Sequence, residues 1–181
     1  MDLHTASAGK VNSLYIRADL ENAECKTLAY LQNPQIIVQK YDAEGTLRGW
    51  ANTQNIPSIT VEIGNPNTFQ HDLIDDTLDG IKNTMRHLKM IEGPVRDFTG
   101  DAIICDHSYW INSYTGGIID VLPKLTQKIK KGELIAKVYD VFGDLKDEIF
   151  SDQDGVVIGK NTSPSCEAGM RIVHLGVNNE S

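Results

Sequence analysis

The sequence predicts an α/β layer over residues 1–92, followed by a small all-β, barrel-like domain over residues 93–181. Three observations carry that expectation. Strand-like and helix-like patterns alternate up to about residue 92, the arrangement that layers helices on a sheet. From about Ala102 the helical period disappears, and short β runs with glycine turns replace it. Between the two lies the stretch Gly93 to Gly100, with Gly, Pro and mixed charge, which suits a boundary.

The elements follow in order. Asp2-Leu3-His4 ends a short hydrophobic strand, and Val11 to Arg17 is rich in strand formers. Glu21 to Gln32 carries Ala23, Leu28 and Leu31 on one helical stripe, and Gln35 to Gln39 is a short apolar run that suits a buried strand. Ile59, Val61 and Ile63 alternate with Thr60 and Glu62 before the turn run Gly64-Asn65-Pro66-Asn67, giving a strand with one polar face. Asp72 to Lys89 is the clearest helix, because Leu73, Ile74, Leu78, Ile81, Met85 and Leu88 recur every three or four residues. Asp72, Asp75, Asp76 and Asp79 crowd its start, whereas Lys82, Arg86 and Lys89 lie near its end, and both sets complement the helix dipole.

The C-terminal half holds a weak internal repeat. Gly117-Ile118-Ile119 is followed by Gly132-Glu133-Leu134-Ile135, and Gly155-Val156-Val157 by Gly169-Met170-Arg171-Ile172, the two copies starting 38 residues apart. Two similar β units packed against each other are expected. Closing them into a barrel or sandwich would protect the strand edges.

Composition narrows the function classes. Of 181 residues, 40% are hydrophobic and 23% charged, an ordinary globular balance. Acidic residues outnumber basic ones by 25 to 17, a net charge of −8 that argues against a nucleic-acid partner. No run approaches the roughly 20 apolar residues of a membrane span. Cys25, Cys105 and Cys166 lack C-x-x-C spacing and frame neither a disulfide scaffold nor a zinc knuckle. The expectation is a soluble, cytoplasmic protein with no membrane partner.

None of the five histidines belongs to an H-x-x-E, H-x-H or H-E-x-x-H motif, so local spacing gives no complete metal site. His87, on the polar helix face, and His174, inside a β pattern, read as structural. His4 stands apart. It follows a short strand and precedes small residues, which is where α/β sheets place ligands, and Asp2 is spaced to orient it. Glu62 is the second candidate. Either it points to solvent at a strand end, or it is a buried general base whose pKa a partly apolar pocket raises.

Asp2-Leu3-His4-Thr5, the segment Ile56 to Gly64 and the tract from Phe142-Gly143-Asp144 to His174-Leu175-Gly176 together resemble the succinylglutamate desuccinylase/aspartoacylase family, a branch of the zinc carboxypeptidase fold. The resemblance runs over essentially the whole chain and makes the α/β layer a partial zinc-carboxypeptidase-like one. It implies one catalytic zinc, an amide bond of a small N-acylated amino acid as substrate, His4 as a zinc ligand and Glu62 as the general base. In that family an H-x-x-E pair and an arginine- and asparagine-containing substrate segment precede D-L-H-T. This sequence starts at D-L-H-T, so the expectation is the C-terminal part of a deacylase, inactive alone and short of two zinc ligands. An exposed strand edge over residues 1–92 would then favour association between copies.

The C-terminal half resembles the β-domain that this family appends, which is similar to biotinyl/lipoyl carriers. Asp144 stands at the carrier-lysine position and Lys146 is two residues off, so a non-carrier that shapes the active-site mouth is expected. Tyr109, Trp110 and Tyr114 are in range of a substrate there, with core packing the favoured role. The alternative to the enzyme is a non-catalytic binding or regulatory module.

Overall fold

A computed structural model describes residues 1–41, 45–98 and 102–178. The N-terminal elements are β1 (Asp2–His4), β2 (Lys10–Asn12), β3 (Leu14–Ala18), α1 (Ala23–Tyr30), β4 (Ile36–Gln39), α2 (Leu47–Thr53), β5 (Thr60–Ile63) and α3 (His71–His87). They are followed by β6 (Ile103–Cys105), β7 (His107–Asn112), β8 (Gly117–Val121), β9 (Lys128–Ile129) and β10 (Leu134–Tyr139). The last are β11 (Leu145–Phe150), β12 (Gly155–Asn161), β13 (Ser165–Cys166) and β14 (Arg171–Val177). Among the described residues no helix is long and apolar enough to cross a membrane.

The first layer is a mixed sheet in the order β1-β5-β3-β4-β6. Alternation along its strands gives it two apolar faces. Leu14, Ile16, Ala18, Ile37 and Val61 point to one side and pack with Cys25, Leu28 and Ala29 of α1. The side chain of Asn22 caps α1 by accepting from the Glu24 and Cys25 amides. Tyr15, Ile36, Val38 and Cys105 point to the other side and pack with Val156 and Ile158 of β12. Each such buried aliphatic side chain contributes about 1.5–3 kcal/mol, so the sheet is clamped between helices and the C-terminal β half.

That half consists of two sheets, β11-β10-β8-β13 and β2-β12-β14-β7, with β9 paired to β12. Ile119, Ile135 and Val138 of the first meet Val157, Ile172 and Leu175 of the second in one core. The internal repeat has a direct counterpart. Its first copy forms the paired strands β8 and β10, its second the pair β12 and β14, one in each sheet. No ladder among the described residues joins the two sheets, so the architecture is a sandwich of facing sheets and the expected barrel closure does not appear.

The boundary expected between Gly93 and Gly100, of which Gly100 lies outside the described residues, is crossed in both directions. β6 from the C-terminal half completes the first sheet beside β4, and β2 from the N-terminal half joins β12 in the sandwich. The single strand expected over Val11 to Arg17 is therefore two strands in different sheets. The switch occurs at Ser13, whose backbone amide and hydroxyl both donate to the Ile158 carbonyl, at 2.9 and 3.0 Å. Gly159 permits β2 to approach, since a Cβ there would stand 2.3 Å from Asn12 Oδ1.

α3 buries Thr77, Gly80, Asn83 and Thr84, not its apolar stripe. Gln32 Nε2 donates to Thr84 Oγ1 at 2.7 Å, and Asn83 Nδ2 donates to the Leu31 carbonyl at 3.2 Å. Gly80 is needed for this close crossing, because a Cβ would come within 2.9 Å of the Gln32 Cα. Ile74, Leu78 and Leu88 remain exposed.

Candidate active site

The strand register brings the two sequence candidates together. β1 and β5 are parallel with His4 opposite Glu62, and β5 and β3 are antiparallel with Tyr15 opposite Glu62. His4, Glu62 and Tyr15 therefore form a row across three strands. With a side-chain period of two, Asp2 and Arg17 stand on the same face as His4 and Tyr15. This is the face that meets the sandwich, and His4 ends β1 at its carboxyl edge, where the sequence placed a ligand.

Glu62 does not point to solvent; it is 5% exposed. Its surroundings are polar, not apolar as expected. Arg17 Nη2 lies 3.1 Å from Oε1, Asn12 Nδ2 donates to Oε2 at 3.3 Å, and His4 Nδ1 lies 3.8 Å from Oε1. A carboxylate withdrawn from water needs such donors. Asp2 Oδ2 lies 3.0 Å from His4 Nε2, so the imidazole donates from Nε2 and its Nδ1 is turned toward Glu62. Arg17 also donates to the Tyr15 hydroxyl from Nε at 3.2 Å and Nη2 at 2.5 Å. Burial pushes the Tyr15 phenol up to about 12, Arg17 opposing the shift and Glu62 adding to it, so the phenol keeps its proton at neutral pH.

His4, Asn12, Tyr15, Arg17 and Glu62 line a cavity of about 200 Å³ together with Thr5, Ala6, Ser7 and Lys10 from the β1–β2 segment and Trp110 and Arg171 from the sandwich. Trp110 stacks on His174, with centroids 4.8 Å apart and planes 10° apart. His174 is buried, with Nε2 2.9 Å from Ser108 Oγ and no hydrogen-bond partner for Nδ1. Burial first, then Arg17, Arg171 and Lys40, lowers its pKa to about 3, which keeps the ring neutral. The structural role expected of His174 is thus that of a support beneath a cavity wall.

Of the three aromatics for which core packing was the favoured role, Trp110 instead lines the cavity. Tyr109 packs on the sandwich core and its hydroxyl donates to Asp152, while Tyr114 is 86% exposed. Lys146 is in β11 and donates to the Gly116 carbonyl at 3.0 Å, so it is not presented at the tip of the β10–β11 hairpin.

Sequence reasoning missed Asn12, Arg17, Lys10 and Arg171. Arg17 had a signal, a cation closing the apolar run Leu14-Tyr15-Ile16. The others are brought in by long-range pairing and had none. For a metal, His4 with Asp2 behind it has the donor chemistry of one imidazole ligand. Among the described residues no three His, Cys, Asp or Glu side chains converge to complete a site.

Residues 1–88 match the model of the succinylglutamate desuccinylase/aspartoacylase catalytic domain, so the family resemblance read from the sequence holds over those residues. No curated protein matches the sequence. The fold is similar to that of the ectoine utilization protein EutE (DoeB) from Ruegeria pomeroyi, with TM-score 0.87 and 17% identity over 98% of this chain and 59% of that one. A succinylglutamate desuccinylase from a Silicibacter species gives TM-score 0.85 and 19% identity over 97% and 56%. A succinylglutamate desuccinylase/aspartoacylase from Rhodobacter sphaeroides gives 0.79 and 16% over 97% and 57%. The chain thus spans less than two thirds of the length of these proteins.

Proposed function

We propose that this chain, whose residues 1–88 carry the succinylglutamate desuccinylase/aspartoacylase catalytic-domain signature, is part of a zinc-dependent hydrolase of N-acylated amino acids. The observation that supports this reading best is the buried Glu62 carboxylate set opposite His4 across β1–β5, with Asp2 behind the imidazole. His4 would be one metal ligand through Nδ1. Zinc, when bound, supplies Lewis acidity to the scissile carbonyl.

The chain's own groups handle the protons. Glu62 takes a proton from the attacking water as its oxygen bonds to the acyl carbon. The C–N bond then breaks with its electrons on nitrogen, and Glu62 returns the proton to the leaving amine. Arg17 and Asn12 hold the two carboxylate oxygens in place between these transfers. A cytoplasmic setting is in keeping with three buried cysteines, none of them in a disulfide.

The second reading is a non-catalytic binding or regulatory module. Assays of the zinc-loaded full-length gene product against a panel of N-acyl amino acids separate the two. The hydrolase reading expects turnover that Glu62→Gln lowers by about 10²–10⁴-fold with zinc content unchanged, and zinc loss in His4→Ala. No hydrolysis, or near-normal turnover in Glu62→Gln, overturns it.

A further inference from the structure

We propose that the outer face of the sheet β11-β10-β8-β13, at the end carrying the β10–β11 hairpin tip, docks a basic amphipathic helix of a partner protein. This inference does not depend on the hydrolase reading above. The sheet is the outermost layer, because its inner face packs on β12 and β14. Its register sets Tyr139 opposite Ile118 on one side and opposite Leu145 on the other. All three point away from the core, since their neighbours Val138 and Ile119 point into it. They form an apolar row across three strands.

Two loops stand side by side at the end of this row, because β8 begins where the antiparallel β10 finishes. The hairpin tip presents Val141 and Phe142, 80% and 89% exposed, and the β7–β8 loop presents Tyr114. Among the described residues no large hydrophobic side chain is more exposed than Phe142. None of these six residues lines the cavity at Glu62.

Neither loop is slack. The Phe142 and Asp144 amides both donate to Asp140 Oδ1, at 2.8 and 3.0 Å, and Gly143, with φ of 92°, completes the turn. The Ser113 amide donates to the Met170 carbonyl at 2.9 Å, and the Gly169 amide to the Ser113 carbonyl at 2.6 Å. The loops are also tied to each other, Thr115 Oγ1 donating to Asp147 at 2.8 Å and Lys146 Nζ to the Gly116 carbonyl at 3.0 Å. Exposed apolar side chains on so ordered a frame are organised for docking in advance, and covering them costs little further freedom.

Charge identifies the occupant. A second row, Asp120, Lys137 and Glu148, runs across the same strands beside the apolar one. Both cations nearby are engaged, Lys137 with Glu148 at 3.4 Å and Lys146 with Gly116. The carboxylates of Asp120, of Asp144 in the tip and of Glu167 beside Gly116 have no hydrogen-bond or ion-pair partner among the described residues. An apolar band bordered by unpaired acids matches a helix whose apolar stripe is flanked by Lys or Arg. The same acids repel an anionic membrane surface.

Titration of the full 181-residue chain with a labelled synthetic helix tests this. The probe is a peptide of about 18 residues, long enough to be helical alone, with one leucine stripe flanked by lysines. Its counterpart has glutamate at every lysine position, and polylysine supplies charge without the stripe. The probe should bind saturably and shift the backbone amide resonances of Tyr114 and of residues 141–145, whereas neither control should. The double variant Val141→Ser/Phe142→Ser should weaken binding about tenfold or more. Asp144→Asn/Glu167→Gln should weaken it by a smaller factor that vanishes at high salt. Leu78→Glu, on the exposed stripe of α3, should leave it unchanged. Every substituted position is exposed, so thermal melts should stay as in the parent chain.

Equal binding of the glutamate peptide or of polylysine, undiminished binding by Val141→Ser/Phe142→Ser, or shifts confined to α3 overturns the docking surface. Self-association of the parent chain that Val141→Ser/Phe142→Ser abolishes and Leu78→Glu does not would make a second copy the occupant, and overturns the assignment to a partner protein.

Discussion

Arg17 Nη2 stands 3.1 Å from Glu62 Oε1, and the two meet across the antiparallel β3–β5 pair although 45 positions apart in the chain. The carboxylate is buried while the guanidinium is 40% exposed, so losing the pair costs more through a stranded Glu62 than through a stranded Arg17. Arg17→Met is expected to destabilise by about 1–3 kcal/mol, toward the lower end because solvent screens the exposed partner. Glu62→Gln in the Arg17→Met background should recover part of that loss. Urea melts of the four proteins give the coupling, and additive losses would show that the pair does not interact.

His174 makes stability depend on pH. Its pKa is about 3 in the folded chain against 6.5 when free, so below pH 6.5 the unfolded state binds a proton that the folded state refuses. The stabilisation is fully present above pH 6.5 and drains away as pH falls toward 3. Between pH 7 and pH 5 the loss from this group amounts to about 2 kcal/mol. His174→Gln lowers stability at both pH values but should lose about 2 kcal/mol less over that interval than the parent chain. Parallel losses in urea melts of both proteins would mean that His174 titrates normally in the fold.

The extent to which the sequence announced this site follows from the range of the interactions. Alternation in Ile59 to Ile63 places Glu62 opposite the apolar side of its strand, and that local signal survives because Val61 faces α1 while Glu62 faces the sandwich. The repeat of Gly117 and Gly155 was legible for the same reason, since each copy pairs within itself. Lys10 and Asn12 were not, because nothing between Val11 and Arg17 marks Ser13 as the point where the chain leaves one sheet for another. That change is decided by the Ile158 carbonyl, 145 positions away. Arg171 and Trp110 reach the cavity only through the β14–β7 and β12–β14 ladders. The buried face of α3 was not legible, because period alone identifies an apolar stripe without saying what covers it.

That stripe leads to the last expectation. Ile74, Leu78, Ile81, Met85 and Leu88 are spaced four, three, four and three apart, the seam of a two-stranded coiled coil, and three of the five are exposed. Asp75 flanks the seam near its start and Lys82 and Lys89 near its end. An antiparallel partner helix from a second copy sets each acidic end against the other's basic end, whereas a parallel one opposes like charges. β1 offers a competing route, since it is an edge strand in the described sheet, with Leu3 49% exposed. The 181-residue chain should therefore associate as a two-fold dimer through α3, and Leu78→Glu should release monomers by sedimentation equilibrium. Rising salt should weaken the dimer, because the flanking charges are exposed. If Leu78→Glu leaves the dimer intact and Leu3→Pro dissolves it, the copies pair through the β1 edge instead. A monomer at high concentration in the parent chain would rule out both faces as contacts between copies.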